Sequence, residues 1–202
     1  MPADADGELM RRVKRGEATA LAELVDRYQQ PVINFVGRTL QDFTEAEDVA
    51  QNVFVQVFKS AHRYQETAKF TTWLFTIARN LCLNELRRRA RHPTEPMDAT
   101  PAGAEDGPVR QFADRAATGP TEALLRGELE RKVEEAIADL PENQRTALLL
   151  CREEELSYEA IAEVLGCSLS ATKSLIHRAR ETLKARLKPY LQTGAWGDPD
   201  ES

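Results

Sequence analysis

The sequence predicts an all-α protein built as two small helical bundles joined by a flexible linker, the second bundle containing a helix-turn-helix. Three observations carry this. Apolar residues recur at steps of three and four on both sides of residue 93, the spacing of helices with one buried face. Between residues 93 and 120 that periodicity stops, and five prolines (93, 96, 101, 108, 120) alternate with Gly103, Gly107 and Gly119. In the stretch 157–184, SYEAIAEVLGCSLSATKSLIHRARETLK, two capped helices flank a tight turn at Gly166.

Taken in order, residues 7–37 hold a short helix with Leu9, Met10 and Val13, then a longer one with Leu21, Leu24, Val25, Tyr28, Val32 and Phe35. Pro31 is placed to kink or divide the second. TEAEDVAQNVFVQVFKSAHRY comes next, with Thr44 and Glu47 in a capping-box spacing. Val49, Val53, Val57 and Ala61 form one apolar line, with Ala46, Ala50, Phe54 and Phe58 beside it. Acids and amides occupy the other side. That polar side is either a solvated face or a docking surface for a basic partner, and spacing alone favours the solvated face.

KFTTWLFTIARNLCLNELRRRAR buries Phe70, Trp73, Leu74, Ile77, Leu81 and Leu86 and gathers cations at its end. Asn80 and Asn84 lie one turn apart on one face, and an amide both donates to and accepts from a base edge. The acid-rich segment 93–120 is an extended tether. Helix returns with Leu125, Leu129, Val133, Ala136, Ile137 and Leu140, and Pro141 starts the next.

In the last helix Leu169, Thr172, Ile176, Ala179 and Leu183 form the inward stripe, and Ser168 or Ser170 caps it. Ser170, Ala171, Ser174, His177 and Arg178 project outward, with Lys173, Arg180 and Lys184 at the flanks. Small and hydrogen-bonding side chains between cations suit an element entering a DNA major groove. The units expected are residues 1–92, a linker at 93–120, a second bundle at 121–191 and a disordered tail at 192–202.

A net charge of −6 over 202 residues argues against a free-standing, non-specific nucleic-acid binder. Local charge differs from the total. Residues 69–92 carry six cations against Glu85 alone, and residues 157–191 six against three acids. Two basic segments in an acidic chain suggest two nucleic-acid contacts held in place by a larger partner.

Cys82, Cys151 and Cys167 lack CxxC spacing and His62, His92 and His177 lack paired spacing, so no disulfide framework, metal site or cofactor is expected. The sequence shows no nucleophile–base set and no phosphate-binding glycine loop, so neither catalysis nor a small-molecule substrate is expected. A chain without a 20-residue apolar run or a signal-like N-terminus is expected to be soluble and cytoplasmic.

Together EDVAQNVFVQVFKSAHRY, FTTWLFTIARNLCLNELRRR and LPENQRTALLLCREEELSYEAIAEVLGCSLSATKSLIHRARETLK resemble the extracytoplasmic-function (ECF) sigma factors of bacterial RNA polymerase. The resemblance implies that Asp48, Gln51, Asn52, Val53 and Phe54 lie on or beside the surface that grips the polymerase core. It implies that Asn80 and Asn84, with Lys69, Arg87 and Arg88, capture the −10 element of promoter DNA as its strands separate. Ser170, Ala171, Lys173, Ser174, Leu175, His177 and Arg178 would read the −35 element as duplex.

An anti-sigma factor, commonly membrane-anchored, is implied as a further partner. Three departures mark this chain: Asn52 where the family often has an acid, SAT at 170–172 for the usual GTV, and Leu175 for a frequent Arg. Leu175 would trade a phosphate or guanine contact for an apolar one to a thymine methyl. The alternative is a helix-turn-helix regulator acting without polymerase, but the first half offers neither a ligand pocket nor a phosphoacceptor domain.

Overall fold

The computed structural model describes residues 5–65, 68–91, 120–153 and 156–193, and among them there are eight α-helices, one short 3₁₀ turn and no strand. The expected linker lies outside the described residues except for Pro120, which opens a helix, and so do Trp196 and the rest of the tail from 194 onwards. The helices form two domains. The first contains α1 (Ala5–Lys14), α2 (Ala18–Leu40), α3 (Ala46–Ser60) and α4 (Phe70–Arg91). The second contains α5 (Pro120–Ala138), α6 (Glu142–Cys151), α7 (Tyr158–Leu165) and α8 (Leu169–Thr193), which runs two residues past the expected boundary.

Helix α1 buries Leu9, Met10 and Val13, and its Asp6 carboxylate accepts hydrogen bonds from Arg27 and Tyr28 of α2. Pro31 does not divide α2. Its missing N–H removes one hydrogen bond, while the buried stripe of Leu24, Tyr28, Val32, Phe35, Val36 and Leu40 continues on both sides of it and holds the helix together. Gln41 ends α2 in the left-handed region at φ 57° and donates its backbone N–H to the Gly37 carbonyl.

Gly37 is required by the packing of Phe43. A Cβ at position 37 would lie 2.5 Å from the Phe43 ring, which folds back across the helix end. That turn also displaces the expected cap of α3. Thr44 does not cap it; Asp42 Oδ1 accepts from the Thr44 and Glu45 amides at 3.0 and 3.1 Å, and the helix starts at Ala46. The left-handed Gln41 brings a short carboxylate under two orphan N–H groups before Thr44 is reached.

In α4, Phe70, Leu74, Phe75, Ala78 and Cys82 are buried. The Phe70 ring meets Tyr28, Tyr64 and Trp73 at centroid distances of 5.5, 6.3 and 6.3 Å, and Phe75 meets Phe35 edge-on at 5.4 Å. Burial pushes the Cys82 thiol up to about 12, so the protonated form prevails at neutral pH.

The second domain is shaped by its caps. Ser157 Oγ accepts from the Ala160 amide, Gly166 closes α7 in the left-handed region at φ 66°, and Ser168, not Ser170, caps α8 by accepting from the Ala171 amide. Thr172, Ile176 and Ala179 are buried, with Leu183 packed beside them, as the stripe requires.

The two domains touch in two places. Helix α7 packs along α4, and the C-terminal end of α2 packs on α6 and is hydrogen-bonded to the end of α5. Arg38 makes a bidentate pair with Glu134 at 2.8–3.1 Å. The Gln41 amide donates to the Ala138 carbonyl, and buried Arg145 donates to the carbonyls of Ala138 (2.7 Å), Leu140 (3.2 Å) and, across the boundary, Thr39 (3.4 Å).

Candidate nucleic-acid interface

Helix α8 presents an outward face because its inward stripe is pinned on α6 and α7. Ser170, Lys173, Ser174, His177 and Arg178 are exposed and, with Leu169, line a shallow open concavity on that face. The Ser174 hydroxyl donates to the Ser170 carbonyl at 3.0 Å, so it presents its lone pairs outward. Among the described residues, no ion pair engages His177 or Arg178. Ala171 is half-buried, and Leu175 is half-buried and packed against the core, so only part of its side chain faces outward. Lys173 lies close enough to Glu159, at the start of α7, to help hold that carboxyl low. The larger causes there are its backbone N–H and the Ser157 hydroxyl.

On α4, Asn80 and Asn84 are exposed one turn apart, as the spacing requires. Lys69 is exposed just before the helix, and Arg87 and Arg88 are exposed near its end. Their electrostatic environments differ. Arg87 reaches only the Asn84 side-chain oxygen at 3.5 Å, whereas Arg88 pairs with Glu85 at 2.7 Å. Arg88, then Arg89, holds the Glu85 carboxyl below its usual range.

Arg89, counted in the sequence as part of the basic cluster, turns inward. It pairs with Asp42 at 3.1 Å, Glu45 at 2.7 Å and Glu85 at 3.1 Å, fastening α4 to the start of α3. Asp42 and Glu45 precede it by 47 and 44 residues, so no local pattern signals the pairing.

On α3, Asp48, Gln51 and Asn52 are exposed in a row. Val53 is fully buried and Phe54 is 8% exposed, so these two support that surface from beneath. The apolar side chains on it are Val55 at 46% and Phe58 at 52% exposure. The apolar pattern grouped Phe58 with the inward residues, and the structure leaves it in solvent. An acid, two amides and two apolar side chains on one open face form a mixed patch, apolar in part and rimmed by polar groups, of the kind that docks another protein. Among the described residues no cluster of His, Cys, Asp and Glu could hold a metal ion, and no helix is long and apolar enough to cross a membrane.

An outward, cation-flanked second helix of a helix-turn-helix, with a further basic helix bearing paired amides, has the make-up of a DNA-binding protein. The family comparisons agree with this. Residues 24–92 match the family model Sigma-70 region 2 and residues 130–183 that of Sigma-70, region 4. The chain is 38% identical to the RNA polymerase sigma-H factor of Pseudomonas aeruginosa, over 94% of this chain and 97% of that protein. It is 33% identical to the ECF RNA polymerase sigma factor SigW of Bacillus subtilis, over 89% and 95%.

In fold it is similar to CnrH, solved in complex with the cytosolic domain of CnrY, at a TM-score of 0.66, with 24% identity over 92% of this chain and 99% of that one. The chain belongs to the ECF group of RNA polymerase sigma factors, which direct core polymerase to promoters and assist strand opening at initiation.

Proposed function

We propose that three surfaces divide the work of this sigma factor. The exposed face of α3, with Asp48, Gln51, Asn52, Val55 and Phe58, docks on core polymerase over a support of Val53 and Phe54. On α4, Asn80 and Asn84 take bases of the −10 element once the strands part, and Lys69, Arg87 and Arg88 hold its phosphates. On α8, the face from Ser170 to Arg178 reads the −35 element in the major groove. The factor acts by binding, with no catalytic step and no cofactor, as a soluble cytoplasmic protein. It is held in check by an anti-sigma factor, as the sigma factor RpoE of Bartonella quintana was solved in complex with the anti-sigma factor NepR. The units that do this are residues 1–92 and 121–191.

The observation that carries the reading is the combination on α3 of a charged and amide row with two apolar side chains left in solvent. Such a face suits a partner that is basic and partly apolar.

Asp48→Lys is expected to weaken binding to core polymerase about tenfold, roughly 1.4 kcal/mol, with unchanged circular dichroism. The loss shrinks at higher salt, because exposed charges are screened beyond about 10 Å at 0.1 M. Phe58→Ser weakens binding without that salt dependence. If both variants bind core polymerase as tightly as the parent, α3 is not the docking face. If the chain selects its promoter without polymerase, the independent-regulator reading gains.

A further inference from the structure

We propose that Lys14, at the end of α1, is a positioning residue for capture of the −10 element: it fixes the first turn of α4 through Tyr64 and does not itself meet DNA. The proposal rests on the assignment of Lys69, Asn80 and Asn84 to that element. Helix α1 lies wholly before residue 24, where the match to Sigma-70 region 2 begins.

The helix is built as a fixed support. Gly16 leaves it in the left-handed region at φ 87° and donates to the Val13 carbonyl at 2.9 Å, while the Glu17 amide donates to Arg12 at 3.1 Å. That is the bond pattern by which a glycine turns the chain sharply out of a helix. Side chains hold the same corner, since Arg12 pairs with Glu17 at 2.8 Å and with Glu23 at 3.5 Å. At the opposite end Asp6 takes Arg27 and Tyr28 of α2. Between the two ends Leu9, Met10 and Val13 pack into the core.

From this support Lys14 Nζ donates to the Tyr64 carbonyl, 50 positions along the chain. Tyr64 closes the 3₁₀ turn Ala61–Arg63 with its amide, and its buried ring lies against Trp73 at 5.2 Å and Phe70 at 6.3 Å. Asp6 reaches the same place by a second route, through Tyr28, whose ring meets Phe70 at 5.5 Å. Helix α1 therefore holds the first turn of α4 from two sides, and with it the roll of α4 about its axis. Asn80 and Asn84 share one face of that helix, so a roll turns both away from a strand at once.

The charges of α1 are directed inward to the domain. Arg11, Arg12 and Arg15 pair with Glu8, Glu17 and Glu23, and the Lys14 ammonium is given to a carbonyl in a charge-assisted bond. Lys14 is exposed and adds nothing to the apolar core, so its removal leaves the fold and the α3 face in place.

The test uses the full-length factor assembled with core polymerase and, as probe, a single-stranded DNA that the parent holoenzyme enriches from a randomised pool. Lys14→Met is expected to weaken probe binding about tenfold, the fold-change of one charge-assisted hydrogen bond at the low end of its range, with unchanged affinity for core polymerase. Lys14→Arg, which keeps a cationic donor, is expected to restore it. The slope of log affinity against log salt stays that of the parent; a slope flatter by about 0.7 puts Lys14 on a phosphate and overturns the positioning role.

Without DNA, the Thr72 and Trp73 amides, which close the first turn of α4 on the Lys69 carbonyl, are expected to exchange hydrogen faster in Lys14→Met. Unchanged exchange, or parental probe binding by Lys14→Met while Asn80→Ala weakens it, overturns the proposal. Parental binding by Asn80→Ala instead overturns the assignment of α4 on which it rests. Should Lys14→Met lose helicity, Lys14→Gln, with its shorter and neutral head, is held to the same outcomes.

Discussion

Phe70→Ala is expected to cost about 3–5 kcal/mol of folding free energy, the range for deleting a buried aromatic whose site cannot collapse. The ring is fully buried and held by Tyr28, Tyr64 and Trp73, which belong to α2, the segment before α4 and α4 itself. No single helix can move to fill the space without pulling the others out of contact. Domains have about 5–15 kcal/mol in all, so the variant is expected to melt roughly 15–30 °C lower. Because Phe70 opens the helix that carries Asn80 and Asn84, hydrogen exchange in α4 should accelerate first. A loss below about 1.5 kcal/mol would mean that the aromatic cluster repacks.

The second large effect concerns sequence reading by α8. Arg178 is exposed and its guanidinium forms no ion pair among the described residues, so its fork is free for a bidentate contact to guanine, worth about 1–3 kcal/mol of discrimination. Arg178→Ala is therefore expected to relax preference at one position of the upstream element. Lys173→Ala, which removes a point charge suited to phosphate, is expected to weaken all upstream variants about equally. Competition binding of polymerase-bound complexes across single-base promoter variants, at fixed salt, separates the two. Identical profiles for both variants would mean that α8 enters the groove at a different angle.

How much the sequence disclosed depends on how local each cause is. The stripes of α2 and α8, the Ser157 cap and the Gly166 turn depend on neighbours within one or two turns, and the pattern of residues states them directly. The outward placement of Asn80, Asn84, Lys173 and Arg178 comes from the same periodicity.

Features built from distant parts of the chain were not legible. Asp42 displaced Thr44 as the cap because of the left-handed turn at Gln41 and the Phe43 ring over Gly37, and neither has a local pattern. Val53 and Phe54 are buried as the apolar pattern of α3 states, but Phe58, grouped with them, lies in solvent, because the neighbouring helices decide which apolar side chains find cover. The meeting of α2 with α5 joins residues nearly 100 positions apart.

The inward turn of Arg89 changes how the basic end of α4 responds to its ionic surroundings. A cation contributes to the salt dependence of nucleic-acid binding only when it displaces counterions condensed on a phosphate, about 0.7 of an ion per contact on a single strand. Arg89 already has three carboxylates around it and would release nothing on contact with DNA. On the proposed role of α4, the slope of log affinity against log salt is therefore set by Arg87 and its exposed neighbours. Neutralising Arg87 flattens that slope by about 0.7, whereas neutralising Arg89 leaves the slope as it was and loosens the junction of α3 and α4.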